Sequence, residues 1–143
     1  MTGRYHERTI LEMLQRQRLG VLATTGLSGP RTALVAFAFA EEQKRIFFFT
    51  PRDTNKYANV QSEPRVSLLV DDRCVRPQSD NIVALMATGM CKESTPELRQ
   101  TNMKLLQEKI MIIPEEKEQA LMYIDVERLD AVTASQHLRS IVF

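Results

Sequence analysis

The sequence has 143 residues, which is the usual length of one domain and enough to bury a core without disulfides or metals. Hydrophobic residues make up 43% and charged residues 26%, a composition that excludes both a disordered tail and a membrane-embedded chain. The 19 Lys and Arg against 18 Asp and Glu leave a net charge of +1, without the basic excess of a general nucleic-acid binder.

The cysteines, histidines and apolar runs indicate which compartment and which kinds of site to expect. Two cysteines are too few for a disulfide scaffold, and two histidines, His6 and His137, make a structural zinc site unexpected. No apolar run approaches the ~20 residues that span a bilayer, and Met1 to Leu14 lacks the apolar stretch of a secretory signal. We therefore expect a cytoplasmic protein that binds neither membranes nor nucleic acids.

The first half of the chain predicts a helix, three strands and a second helix. Apolar residues at helical spacing indicate a helix over about 5–17. The run LGVLATT then predicts a strand at 19–25, and Gly and Pro at 26–30 predict a turn. Two further strands follow at 31–40 and 46–50. A short helix, with Asp53 or Thr54 as its N-cap, should run to Ser62.

The second half predicts two more strands, a helix and one or two further strands. Strands are expected at 66–70 and 82–90, joined by a loop at 74–81, and Gly89 indicates a bulge or a close backbone approach. Thr95 and Pro96 mark the start of an amphipathic helix. The remaining segments are a charged, helical turn at 115–119, one or two strands at 120–126 and 129–134, and a tail from 135 whose periodicity is weak.

Two strands are apolar on both faces, and this constrains the architecture. In the strand at 82–90, Ile82, Ala84 and Met86 alternate with Val83, Leu85 and Ala87, whereas a half-solvated strand alternates apolar with polar residues. Closing the sheet into a barrel buries one face, and a second copy of the chain would cover the other. We therefore expect one domain, 1–143, with a barrel over about 19–134 that forms a homodimer.

Three segments of the sequence resemble the FMN-binding split-barrel family related to pyridoxamine 5′-phosphate oxidase. They are LGVLATTGLSGPR, RIFFFTPRDTNKYANVQSEPRVSLLV and ATGMCKE. The resemblance covers about residues 10–134 and is most specific over Ile46–Val70. It implies a mainly β fold with flanking helices, namely a six- to seven-stranded antiparallel split β-barrel that is homodimeric.

The resemblance also implies a cofactor site at the dimer interface. FMN would lie with its phosphate at the short helix and its ring along the second strand and Phe49. The partner chain would complete the slot near Asn81 and Ala84. Carried over position by position, the expected cofactor-binding residues are Arg31, Thr32, Ala33, Leu34, Val35, Ala36, Phe49, Thr50, Thr54, Asn55, Lys56, Asn81 and Ala84.

The sequence departs from the family at two of these positions. Asn55 stands where the family usually has the Arg of an Arg-Lys pair, so the second positive charge would come from Arg31 or Arg52. Ala84 stands where the oxidase commonly has Gln. The tail AVTASQHLRSIVF does not match the oxidase's substrate residues, so we expect no oxidation of pyridoxamine phosphate.

Three functions remain open at this stage. The first is an FMN-dependent oxidoreductase that uses a small-molecule reductant or substrate, with no protein acid or base required. The second is a non-catalytic module that binds FMN, haem or a deazaflavin. The third is a barrel dimer that has lost its cofactor.

Overall fold

One antiparallel sheet dominates the computed structural model, which describes residues 6–27, 29–72 and 82–143. Its strands are β1 (Leu19–Gly26), β2 (Gly29–Ala40), β3 (Arg45–Thr50), β4 (Arg65–Asp71), β5 (Ala84–Glu93), β6 (Ala120–Val132) and β7 (His137–Val142). The helices are α1 (Glu7–Arg16), α2 (Asn55–Ser62), α3 (Pro96–Thr101) and α4 (Met103–Lys109), with a 3-10 turn at Glu41–Gln43 between β2 and β3.

The sheet closes into a six-stranded barrel with one extra strand. The strand order is β3-β2-β1-β4-β5-β6-β7, and β3 also pairs with β6, which closes the ring. The long strand β6 makes this possible because its first half pairs with β3 and its second half with β7 on the same edge. The predicted mainly β split barrel is thereby confirmed as a closed six-stranded barrel with an added strand and flanking helices.

Two apolar clusters hold the barrel together on opposite faces of the sheet. The inner cluster contains the side chains of Phe37 and Phe48 together with the apolar face of α1, Ile10 to Leu14. The outer cluster packs Phe47 against Leu106 of α4. Burying one side chain of this size stabilises the fold by roughly 1.5–3 kcal/mol. Both faces of β3 therefore contribute to stability, Phe48 on the inner face and Phe47 on the outer face.

A different part of the outer face carries exposed apolar side chains. Val21 on β1 lies opposite Leu34 on β2 and Leu69 on β4, and Leu69 lies opposite Met86 on β5. Leu34 is 68% exposed, Leu69 41% and Met86 38%. We call Val21, Leu34, Leu69 and Met86 the outer apolar row. The prediction that β5 is apolar on both faces is confirmed, because Leu85 is buried in the core while Met86 faces outwards.

The structure differs from the sequence prediction in the last third of the chain. The patterns at 120–126 and 129–134 belong to the single strand β6, and the tail forms β7. The predicted helix after Thr95 is divided at Asn102 into α3 and α4, and 116–118 is a turn. The predicted loop at 74–81, including Asn81, lies outside the described residues. Among the residues that are described, no helix is long and apolar enough to cross a membrane.

A bulge in the β5–β6 ladder depends on a glycine, as the sequence indicated. Thr88 pairs with Arg128 but Gly89 pairs with Val126, so Glu127 has no opposite residue. A Cβ atom on Gly89 would lie 1.9 Å from the Asp125 carbonyl oxygen. The backbones can approach this closely only because residue 89 has no side chain.

We predict that Gly89→Ala lowers the free energy of unfolding by about 1–3 kcal/mol, because the new methyl group must push two paired strands apart. Urea unfolding followed by circular dichroism measures the change. Thr88→Ala is the matched control at the neighbouring position and should have a smaller effect. Equal effects of the two substitutions would contradict the steric argument.

Candidate functional site

The strands β2 and β3 separate at one end, and this separation creates the candidate site. Their ladder runs from the Ala40–Arg45 pair to the Phe37–Phe48 pair and stops there. Beyond this point, among the described strands, β2 pairs with β1 alone and β3 with β6 alone. The edge of β2 over 31–36 that faces away from β1 therefore has no ladder partner within residues 6–27, 29–72 and 82–143.

A cleft of about 250 Å³ opens where the two strands separate. Its walls come from β2, β3 and the segment after α4, and the lining residues are Ala36, Phe49, Ile110, Ile112, Pro114 and Gln119. Sites for small organic ligands usually measure about 300–1,000 Å³. The cleft of a single chain is therefore too small to enclose a flavin-sized ligand alone.

The guanidinium group of Arg99, on α3, lies behind two residues that line this cleft. Its Nη2 atom donates a hydrogen bond to the Pro114 carbonyl, and the group lies 5.2 Å from the centroid of the Phe49 ring. Its Nη1 atom is buried and has no hydrogen-bond partner in the part of the chain that the structure describes. Arg99 therefore supports Phe49 and Pro114 from inside the protein and is not itself part of the cleft lining.

The end of β3 and the start of α2 form a tight polar turn beside the cleft. Thr54 is the N-cap of α2, as predicted, and its Oγ1 accepts from the Tyr57 amide at 3.2 Å. The same hydroxyl donates to the Pro51 carbonyl at 2.9 Å and lies 3.3 Å from Oγ1 of buried Thr50. The two threonines therefore shape the turn, and the amides of Asn55 and Lys56 are the first-turn donors without intrahelical partners.

Lys56 is a half-buried cation without a counter-charge. No hydrogen bond or ion pair to its ammonium group is found within residues 6–27, 29–72 and 82–143, and burial lowers its pKa. An anion at this position would favour the charged form of Lys56 and satisfy the free donors. The start of α2 therefore offers a cation, two backbone amides and the positive end of the helix dipole to an anionic group.

Arg31 lies one strand away from α2, whereas Arg52 is already engaged. Arg31 pairs with Thr24 on β1, and the Thr24 hydroxyl accepts from Asn59 Nδ2 on α2 at 3.2 Å. A Cβ atom on Gly26 would lie 2.0 Å from Asn59 Oδ1, so this end of the hairpin can sit close to α2 only with glycine there. Of the two arginines expected to supply the second charge, Arg31 is exposed and available.

Arg52 forms an anchored cluster with Glu93 and Tyr57. Its Nη2 lies 3.0 Å from Glu93 Oε2, and its Nη1 donates to the Glu116 carbonyl at 2.7 Å. The Tyr57 hydroxyl donates to Glu93 Oε1 at 2.6 Å. This hydrogen bond, with help from Arg52, lowers the pKa of Glu93 despite its partial burial. The cluster ties the β3–α2 turn to the end of β5.

The remaining predicted residues are distributed over two faces of β2 and a distant strand. The side chains of Thr32, Leu34 and Ala36 are exposed on the outer face, while Val35 belongs to the inner core and Ala33 is half-buried. These two can offer a ligand only their backbone. Ala84 lies at the start of β5 between Asp71 and Val132, separated from β2 by β1 and β4. One chain therefore brings Ala36, Phe49, Thr50, Thr54, Asn55 and Lys56 together but leaves Ala84 apart.

Sequence reasoning missed Arg99 and the cleft wall formed by Ile110, Ile112, Pro114 and Gln119. These residues are some 50 to 80 positions from β2 in the chain, and an amphipathic pattern explains Ile110 equally well as core. The only local signal was the apolar pair Ile112–Ile113 before Pro114, which is unusual for a loop.

A barrel whose second and third strands part beside a helix N-terminus is a split barrel, the class that the sequence predicted. The sequence model of the pyridoxamine 5′-phosphate oxidase family matches residues 7–133. The chain therefore belongs to the pyridoxamine 5′-phosphate oxidase family. Among curated protein sequences no match is found.

Solved structures share this fold at low sequence identity. A heme-binding protein from Mycobacterium smegmatis is 16% identical with a TM-score of 0.74, and the match covers 94% of this chain but only 55% of that one. General Stress Protein 26 from Bacillus anthracis is 17% identical (TM-score 0.70), with 94% and 95% covered. An FAD-binding protein from Mesorhizobium loti is 15% identical (TM-score 0.66), with 89% and 94% covered. At these identities the matches show a common fold.

We predict that Glu93→Gln destabilises the protein at neutral pH and that the difference from the unmutated protein disappears in acid. The pKa of Glu93 is lower in the folded protein than in the unfolded chain, so its contribution is present above the unfolded value of about 4.3. It is lost as the pH falls through the folded value. Urea midpoints across this pH range measure the effect, and Glu118→Gln, on an exposed turn, is the control. A difference that persists unchanged in acid would contradict the charge-based account.

Proposed function

We propose that the chain binds FMN, with the phosphate at the start of α2 and the ring in the cleft between β2 and β3. The observation that carries this proposal is the open edge of β2 beside the apolar wall of Phe49, next to the unpaired cation Lys56. A flavin needs an apolar slot with a few backbone donors and acceptors for its ring, and a cationic site for its phosphate. The residues present fit both requirements.

The phosphate contacts follow from the geometry of the β3–α2 turn. Lys56 supplies the charge, and the amides of Asn55 and Lys56 supply hydrogen-bond donors at the positive end of α2. Thr50 and Thr54 fix the turn through their hydroxyl contacts. Arg31 supplies a second charge from β2, since Arg52 already has Glu93 as its counter-ion.

The ring contacts come from β2 and Phe49. The unpaired edge over 31–36 offers backbone groups to the polar rim of the ring, and Phe49 with Ile112 provides an apolar wall. Arg99 supports this wall through its contact with the Phe49 ring and its hydrogen bond to the Pro114 carbonyl. When bound, the flavin supplies hydride or electron transfer through its N5 atom, and the protein contributes orientation, shielding from water and fixed charge.

We propose further that a second copy of the chain completes the site. The cleft of one chain is smaller than a flavin site, and the outer apolar row remains exposed next to it on the same side of β2. Pairing two such rows about a two-fold axis would bury them and bring Ala84 of the partner subunit towards the cleft.

The activity proposed is that of an oxidoreductase with a small-molecule reductant or substrate, in the cytoplasm. Oxidation of pyridoxamine phosphate is not expected, because Arg139 is the single basic residue of the tail after Val132. Haem is not favoured by the cleft, since neither His6 nor His137 lines it. FMN titration and reduction by NADH or NADPH distinguish this activity from two alternatives. These are non-catalytic binding of FMN or a deazaflavin, and loss of the cofactor.

We predict that the purified protein takes up FMN and that Lys56→Ala weakens binding by roughly 1.5–3 kcal/mol, or about tenfold to over a hundredfold. This is the scale of a charge-assisted hydrogen bond to the phosphate. Titration followed by flavin absorbance and fluorescence measures the affinity, and Lys104→Ala, an exposed lysine on α4, is the control. Unchanged affinity in Lys56→Ala would remove Lys56 from the site.

The same spectra distinguish the alternatives. Flavin bands support FMN, a Soret band supports haem, and no uptake supports a barrel that has lost its cofactor. Bleaching of bound flavin by NADH or NADPH would identify an enzyme, whereas a stable oxidised spectrum with both reductants would favour a carrier.

We predict that the protein is a dimer in solution and that Leu69→Lys converts it to a monomer. The substitution places an uncompensated charge in the centre of the outer apolar row, while Leu69 is exposed enough to tolerate lysine in the isolated chain. Light scattering coupled to size exclusion measures the mass, and Leu27→Lys at the fully exposed hairpin tip is the control. An unmutated protein that is monomeric at micromolar concentration would contradict the proposed interface.

A further inference from the structure

A second depression lies away from the flavin cleft and is strongly basic. It is a groove of about 580 Å³ between α1, the segment that joins α1 to β1, and α4. We call it the basic groove; its lining residues are Glu12, Gln15, Arg16, Arg18, Phe39, Leu105 and Lys109. Its volume is within the range of small-molecule sites. None of its lining residues is shared with the cleft beside Phe49.

Three cations in the basic groove lack counter-ions. Arg16, Arg18 and Lys109 form no ion pair or side-chain hydrogen bond within the described ranges of the chain. The one carboxylate of the lining, Glu12, lies 3.6 Å from Arg8 Nε on the next turn of α1, so part of its charge is already balanced. The groove therefore holds three positive groups against one partly neutralised carboxylate.

Two of the three cations, Arg18 and Lys109, lie close enough for their charges to interact. Lys109 is half-buried, and this burial together with the charge of Arg18 lowers its pKa. The exposed carboxylate of Glu108 opposes the shift without cancelling it. In a chain with a net charge of +1, such a convergence of like charges is a local arrangement rather than a consequence of composition.

One side of the basic groove is apolar. Leu105 contributes a half-buried side chain, and Phe39, which is 2% exposed, closes the groove towards the barrel core. A ligand that fits must therefore present a multiply charged anionic head to the arginines and lysine and a short apolar body to Leu105. Guanidinium groups bind phosphate oxygens in pairs, and a dianion matches the charge excess better than a carboxylate.

We propose that the basic groove is a binding site for a small organic phosphate with a short apolar body. The site is separate from the flavin cleft. Phe39 lies on the inner face of β2 whereas Ala36 lies on its outer face. No residue lines both the groove and the cleft, although Lys109 of the groove and Ile110 of the cleft wall are adjacent at the end of α4. The proposal does not depend on flavin binding, and it holds whether or not the cleft takes up FMN.

Phenyl phosphate is a suitable probe, with inorganic phosphate and phenol as its two halves. In calorimetric titration we expect phenyl phosphate to bind at least tenfold more tightly than either half. Binding should weaken at about 1 M ionic strength, where charges are screened beyond about 3 Å. Resonances of Leu105 and Phe39 should shift in the same titration. Absence of binding at millimolar phenyl phosphate, or equal affinity for inorganic phosphate, would overturn the proposal.

Charge-neutralising variants locate the site. Arg18→Gln and Lys109→Gln should each weaken phenyl phosphate binding about tenfold, since each removes one charge-assisted contact. Lys104→Gln, on the exposed side of the same helix as Lys109, should leave the affinity unchanged. Equal weakening in all three variants would show non-specific attraction and overturn the proposal. So would competition between phenyl phosphate and FMN, because it would place both ligands in one cleft.

Discussion

The structure depends on where the ladder between β2 and β3 ends. β3 pairs with β6 along the whole of Arg45–Thr50 on one edge, and this pairing closes the barrel. On its other edge β3 pairs with β2 only from the Ala40–Arg45 pair to the Phe37–Phe48 pair, beyond which β2 continues along β1. An unpaired strand edge is costly when buried and prone to unwanted pairing when exposed, so it must be covered. The end of this ladder leaves an edge of β2 over 31–36 with which no other described strand pairs.

The cations of the chain fall into two groups, those that are paired with a carboxylate of the same chain and those that are not. Arg45, Arg52 and Arg65 each lie within 3.0 Å of a carboxylate on another element, and their charges are used within the chain. The exposed ion pairs among them contribute little stability. Lys56 and the three cations of the basic groove have no such partners among the described residues. In a nearly neutral protein, the positions of the unpaired charges say more about candidate anion sites than the net charge does.

Much of the fold could be predicted from the sequence, because its local signals and its long-range pairings agree over the first 93 residues. The Thr54 cap, the two-sided strand β5 and the bulge at Gly89 all follow from residue type and spacing. The strand β7 could not be predicted, because the periodicity of 135–143 is weak, even though β7 forms a hairpin with β6, the strand directly before it. The candidate site likewise has one part that the sequence predicts and one part that it does not. The turn around Lys56 is local, whereas the wall of the cleft comes from a segment more than 50 residues later.

Arg99 shows why the wall of the cleft has to be read from the structure. Nothing in the sequence around α3 distinguishes it from an exposed helical arginine, yet its guanidinium lies over Phe49 and is held by the Pro114 carbonyl. The side chain could avoid the cost of an unpaired Nη1 by turning into water, where every donor is solvated. It stays because the contact with the ring and the hydrogen bond to Pro114 fix the guanidinium plane. An arginine held in this way fixes Phe49 and Pro114, two of the residues that line the cleft, so the shape of the cleft depends on a side chain that is not part of its lining.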